Sequence, residues 1–197
     1  MLGEFVGEVQ NLVQDMLGQI HTAIPGTIVS FDAASCTAIV LPVMKLKKTN
    51  GELLDYPKIS GVPVLLPQTA GQKATIAMPV RAGDGCLIIC AEQALDTWMY
   101  DRNTGTDLKF DLSNAIAIVG LFAAANAYMA EACSLNAVIL AKDNSKVVIK
   151  DNGIEITVDV LLKGNLKIEG EILSAGDIMS TGISLIKHTH NGVPVDQ

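Results

Sequence analysis

Aromatic side chains are scarce here, at 4% of 197 residues, and cations are outnumbered, with 14 Lys and Arg against 21 Asp and Glu. The resulting net charge of −7 argues against a nucleic-acid footprint, which would be basic. It argues equally against simple electrostatic docking on anionic lipid. The uncharged stretch over residues 115–130 (AIAIVGLFAAANAYMA) is rich in alanine and interrupted by Gly120 and Asn126. It falls short of the roughly 20 strongly apolar residues of a membrane span and reads as a buried strand followed by a connecting segment. The N-terminal MLGEFVGEVQ carries Glu4 and Glu8 and no basic n-region, so it is not read as a secretory signal. Cys36, Cys86, Cys90 and Cys133 show no paired zinc spacing. Cys86 and Cys90, four apart in CLIIC, read as small buried residues on one strand face in a reducing compartment.

What is abundant is apolar aliphatic sequence, with 49% hydrophobic residues and 17 glycines. That balance predicts a mainly β protein with many turns. An amphipathic helix is expected over residues 2–20, where Leu2, Phe5, Val6, Val9, Leu12, Val13, Met16, Leu17 and Ile20 recur at three- and four-residue steps. Pro25-Gly26 then reads as its end. The stripe is broad for so short a helix, and it could pack on its own domain or on a neighbouring chain. His21, at the close of this segment, reads as a C-terminal helix residue rather than a ligand.

From Thr27 to about Leu121, short apolar runs alternate with turn residues: TIVSF, TAIVLPV, VPVLLP, ATIAMPV, CLIIC and NAIAIVGL. About five strands at this spacing predict a small closed barrel, and their order is compatible with an OB-type barrel. ALDTWMYD reads as a short helical turn. The expected organisation is an N-terminal helix over 1–25, an OB-fold domain over 26–122, a connector and shaft start over 123–153, and a spike with its tip over 154–197.

In the last of these, nearly every even position is apolar, small or glycine. The row runs Ile154, Ile156, Val158, Val160, Leu162, Gly164, Leu166, Ile168, Gly170, Ile172, and on through Ile178 and Ile186. Gly164, Gly170, Gly176 and Gly182 recur every six residues, a period that keeps one strand face constant. Odd positions carry Glu155, Asp159, Lys163, Lys167, Glu169, Glu171 and Asp177, which suit water. Extended, residues 154–190 would span on the order of 120 Å, with too little chain for a core of their own. A lone strand with an uncovered apolar face invites association, so three copies wound into a β-prism are expected to bury the even row.

His188 and His190 continue that row. HxH on a strand aims two imidazoles to one side. Three chains on a threefold axis would offer six nitrogens, enough for an octahedral ion. Zinc in structural sites prefers four ligands, so an all-imidazole octahedron points to iron or nickel.

The motif HTHNG after a glycine-punctuated β stretch resembles the central spike, or baseplate assembly protein V, family of contractile phage tails and related injection machines. The segment VRAGDGCLIICAEQALDTWMYD, followed by FDLSNAIAIVGL, is similar to that family's OB-domain ending. The resemblance covers about residues 25–190. It implies a homotrimer with an OB domain, an intertwined β-helical shaft and a metal-capped tip, in which His188 and His190 of three chains hold one iron ion. It implies a mechanical, non-enzymatic part with no catalytic residues. It also implies hub, tail-tube and baseplate partners, a place in the virion tail baseplate or injection particle after synthesis in the bacterial cytoplasm, and action on a target cell's outer membrane or envelope. No nucleic-acid or small-molecule partner is expected. Two alternatives share some of these features. A trimeric hexapeptide-repeat acyltransferase also has a six-residue period, but it usually places an aliphatic residue just before the glycine-like position, where this chain has Lys163, Glu169, Ala175 and Thr181. A metal-dependent hydrolase using HxH would need further ligands and a base, and no HExxH or acidic ligand cluster is visible.

Overall fold

The computed structural model describes residues 2–48, 51–102, 105, 108–181, 183–185, 187, 189–190 and 193–194. The chain is mainly β with few helices, and it divides into two units, Met1–Asn126 and Ala127–Gln197.

The first unit opens with helix α1 (Leu2–Gly18). The helix closes with tightened i→i−3 bonds, from Gln19 N–H to the Met16 carbonyl and from Ile20 N–H to that of Leu17. Pro25 and Gly26 do not terminate it. They lie inside strand β1 (Ala23–Asp32), where glycine has a packing reason: a Cβ at Gly26 would stand 2.4 Å from Ile88 Cδ1.

Four more barrel strands follow: β2 (Thr37–Pro42), β3 (Ile59–Leu65), β4 (Gly85–Cys90) and β5 (Ala115–Val119). They close a barrel in the order β1-β2-β3-β5-β4, with β4 returning to β1. Every pairing is antiparallel except that of β3 with β5. A third strand lying parallel beside the fifth is the arrangement of an OB-like barrel. The β1–β2 turn is built by Asp32, whose carboxylate accepts from the Ala34 amide at 3.0 Å and the Ser35 hydroxyl at 2.7 Å. These bonds hold the Asp32 carboxyl below its ordinary range, that from Ser35 most strongly.

Alternation decides the core. Ile28, Val40, Val62, Val64, Cys86, Ile88, Ala115 and Ala117 point inward and are almost fully buried. Small residues suffice at several of these positions because a five-stranded barrel encloses little space. Where β1 bulges after Ile28, its freed groups bond the AGDG turn: Ile28 N–H donates to Asp84 O at 2.8 Å, and Gly83 N–H to Ile28 O at 2.9 Å. ATIAMPV supplies no barrel strand. Only Ala74–Thr75 pairs, with Gln68–Thr69, while Ile76 and Met78 remain exposed. ALDTWMYD contains the short helix α2 (Asp96–Tyr100).

The second unit begins with helix α3 (Ala127–Leu135), within what reads as a connecting segment. Asn136 ends it in the left-handed region at φ 48°, a position that suits asparagine, and Ala137 N–H returns to Ala132 O at 3.0 Å. Strands β6 (Val138–Lys142), β7 (Ser145–Lys150) and β8 (Gly153–Ile156) then form an antiparallel sheet. Helix α3 is tied to β7 by the Lys146–Glu131 ion pair, and Tyr128 donates to the Asp143 carbonyl. Val148 is the buried residue of this unit's sheet. The long even-row strand is present only at its start: β8 ends at Ile156, and residues 158–177 form no ladder with other described residues. At its two ends the stretch still bonds its own chain, Thr157 N–H donating to Lys146 O at 3.0 Å and Leu185 N–H to Ile178 O at 2.9 Å. Strand hydrogen bonds run sideways, and between those ends no described residue pairs with it as a strand. Short ladders recur at Met179–Ser180 with Ile183–Ser184, and at Thr189–His190 with Val193–Pro194.

Candidate functional site

Of the two candidate ligands, His188 lies outside the described residues. His190 lies in the Thr189–His190 strand, its backbone paired with Val193. Among the described residues, no three His, Cys, Asp or Glu side chains gather as one chain's metal site.

The register of β6–β8 produces a surface that the sequence reading did not include. Val138 pairs with Ile149, which pairs with Ile154; Leu140 pairs with Val147, which pairs with Ile156. Directly opposed residues share a face, as do residues two apart. All six aliphatics therefore occupy one side of the sheet, and no polar residue interrupts them. Val138 and Leu140 are each 60% exposed and Ile154 is 63% exposed. Beyond the sheet, Val158, Val160, Leu162, Leu166, Ile168 and Ile172 are also exposed. The apolar row thus starts at Val138 rather than Ile154. Its earlier part changes parity at the Asp143-Asn144 turn, from even in β6 to odd in β7 and back to even in β8. A search for one unbroken parity misses it.

In the first unit, the loops after β4 are organised by Asn114, the buried polar residue of the barrel, at 5% exposure. Its Oδ1 accepts from Leu95 N–H at 2.8 Å, and its Nδ2 donates to the carbonyls of Gln93 and Leu108. Its backbone carbonyl accepts from Ala91 N–H at 2.8 Å. One amide side chain therefore fixes both ends of the segment carrying α2. Asp111 caps the adjoining turn, accepting from the Ser113 hydroxyl and from its amide at 2.7 Å. These bonds, the hydroxyl foremost, hold the Asp111 carboxyl below its ordinary range, with a smaller contribution from His21.

A groove of about 580 Å³ runs past this turn, lined by Met16, Ile20, His21, Leu46, Tyr56, Leu108 and Asp111. His21 is held by its backbone N–H to Phe110 O at 2.9 Å and stacks edge-on with Tyr56 at 5.9 Å between centroids. The groove thus brings together one imidazole, one phenol and a carboxylate already committed to a turn. The four cysteines are free. Cys86 and Cys90 are buried as expected, with the Cys86 thiol pushed up to about 11 by burial, whereas Cys133 is exposed. Among the described residues, no helix is long and apolar enough to cross a membrane.

No curated protein matches the chain. Residues 24–120, just under half of it, do match a family model, and that segment runs from the second residue of β1 to the residue after β5. The match stops short of the tip motif and does not reach the narrower central-spike family that HTHNG resembles; what the barrel is similar to is the N-terminal domain of the phage protein Gp138.

Proposed function

We propose that this chain is the trimeric central spike of a contractile phage tail or a related injection machine, acting by mechanics rather than catalysis. The observation that carries the reading is the uninterrupted aliphatic face of β6–β8, which follows a barrel similar to a phage protein domain. Covering the remaining exposed half of six aliphatic side chains contributes on the order of 5 kcal/mol per chain. Association costs about 4–15 kcal/mol in lost freedom, so the sheet face alone roughly balances it. The row from Val158 to Ile178 supplies the surplus, and that surplus is available only if neighbouring copies lie alongside it. Three chains wound together would give residues 158–177 the ladder partners they lack among the described residues, and local opening would then require three chains to separate at once.

At the tip, His188 and His190 of each copy would hold a shared iron ion. Six neutral imidazoles are a donor set that iron or nickel accepts. The ion would supply cross-linking of three chain ends that otherwise fray. The barrel would face the hub, tail tube and baseplate components, and the tip would meet the target's outer membrane or envelope.

Sedimentation equilibrium of the untagged chain, with metal analysis of the same sample, tests this. The expected result is a trimer with one iron per three chains. The double variant His188→Ala with His190→Ala should lose the metal and keep the barrel's far-ultraviolet signature. A monomer, or one zinc per chain accompanied by hydrolysis, would overturn the proposal, the latter in favour of a hydrolase.

A further inference from the structure

We infer that α1 packs against the α1 helices of two further copies of this chain as a parallel three-helix bundle; this rests on the threefold reading above. The helix makes little use of its own domain. Phe5, Leu12 and Met16 are 60–63% exposed, and Val6, Val9, Val13 and Leu17 are exposed with them. At 3.6 residues per turn these seven side chains fill about 140° of arc without a polar interruption. A two-stranded coiled coil needs only a narrow a/d seam. An arc this wide presents two overlapping seams, Phe5-Val9-Leu12-Met16 and Val6-Val9-Val13-Met16, and therefore faces two neighbours at once.

The flanks of the arc select the occupant and its direction. Glu4, Glu8 and Asp15 fall together on one flank, and Gly3, Gly7, Gln10 and Gln14 fall on the other. No Lys or Arg precedes Lys45 in the chain. In a parallel ring each helix sets one flank against the opposite flank of the next, so carboxylates meet glycine and glutamine. An antiparallel pair would set carboxylates against carboxylates, which is unfavourable. A 17-residue helix is marginal alone; tethering three copies to one shaft raises their effective concentration.

The test uses the full chain carrying Cys133→Ser, since Cys133 is exposed. Val9→Cys is placed at the centre of the arc and Gln14→Cys on the neutral flank. Mild oxidation should convert Val9→Cys to covalent dimers several-fold faster than Gln14→Cys, in a particle that sediments as a trimer. A trimer with no difference between the positions overturns the bundle and leaves the threefold shaft standing, whereas a monomer overturns both. A mixed disulfide between Phe5→Cys and Met16→Cys chains would establish antiparallel packing, against the inference. Protection of Val9→Cys only when phosphatidylcholine vesicles are added would assign the face to a membrane and also overturn it.

Discussion

Gly85→Ala is the sharpest probe of how the barrel is closed. Gly85 begins β4, and its carbonyl accepts from Gly120 N–H at 2.9 Å. A methyl group there would lie 1.9 Å from the Leu121 carbonyl oxygen and 2.9 Å from its carbon. Those atoms are backbone, so no rotamer change relieves the contact and the segment after β5 must move away. Forced overpacking costs about 1–3 kcal/mol and the strained or lost hydrogen bond about 1 kcal/mol more, giving an expected loss of about 2–4 kcal/mol. Urea unfolding followed by circular dichroism at fixed protein concentration should show a lower midpoint at unchanged slope. Gly26→Ala is the control, because its Cβ meets the end of the Ile88 side chain, Cδ1 at 2.4 Å. Ile88→Val removes that atom and should recover part of the Gly26→Ala loss, the remainder staying with Ile88 Cγ1 at 2.9 Å and the Leu41 carbonyl oxygen at 3.2 Å, whereas no side-chain change should rescue Gly85→Ala. A Gly85→Ala variant within about 0.5 kcal/mol of the parent, the range of an ordinary surface change, would refute this account of the packing.

Further outcomes can be stated briefly. Asn114→Ala strands the Leu95 amide and two carbonyl acceptors, and should cost about 2–3 kcal/mol and quicken proteolytic nicking between residues 93 and 110. Cys133 should react promptly with a maleimide in the native protein, whereas Cys86 and Cys90 should react only on unfolding, as peptide mass mapping would show. The folded state holds the Cys86 proton more tightly than the unfolded chain does. Its contribution to stability should therefore be intact below the ordinary thiol value of about 8.5 and decline as pH rises toward about 11. Asp111 has the opposite sign: its depressed carboxyl contributes above about 3.9, and that contribution fades as acid titrates the folded form, measurable as a midpoint falling with pH in the parent and less so in Asp111→Asn.

The barrel strands were legible because each alternates over a half-buried surface, and TAIVLPV, CLIIC and NAIAIVGL keep their parity in the structure, whereas TIVSF changes it at the bulge after Ile28, beyond which Ser30 is exposed and Phe31 packs on the core. ATIAMPV has the same texture but carries Pro79, and Ile76 and Met78 face outward; alternation reports that a strand could form there, not that a partner is present. Helix α3 was hidden because its alanine-rich sequence has apolar residues on all sides, so propensity rather than periodicity shapes it. Pro25-Gly26 looked like a helix stop and is a strand segment in which the missing Cβ makes room for Ile88. The candidate tip rested on a motif and a parity count. The sheet face behind it needed the register, because two turns reverse the parity that links Val138 to Ile156.

The parallel pairing of β3 with β5 has a kinetic consequence. It is the thinnest seam of the barrel, joining Val64 with Ala117 and Leu65 with Ile118, whereas β4 meets both of its neighbours through five pairs each. Its partners are also distant in the chain, with β4 and α2 intervening between them. Contacts of such long reach form after local hairpins have already nucleated, and thin seams open before the rest. The barrel should therefore complete its circle here last and breathe here first. In hydrogen exchange, the amides bonded across this two-pair seam should lose protection ahead of those bonded across the five-pair seam of β1 with β4.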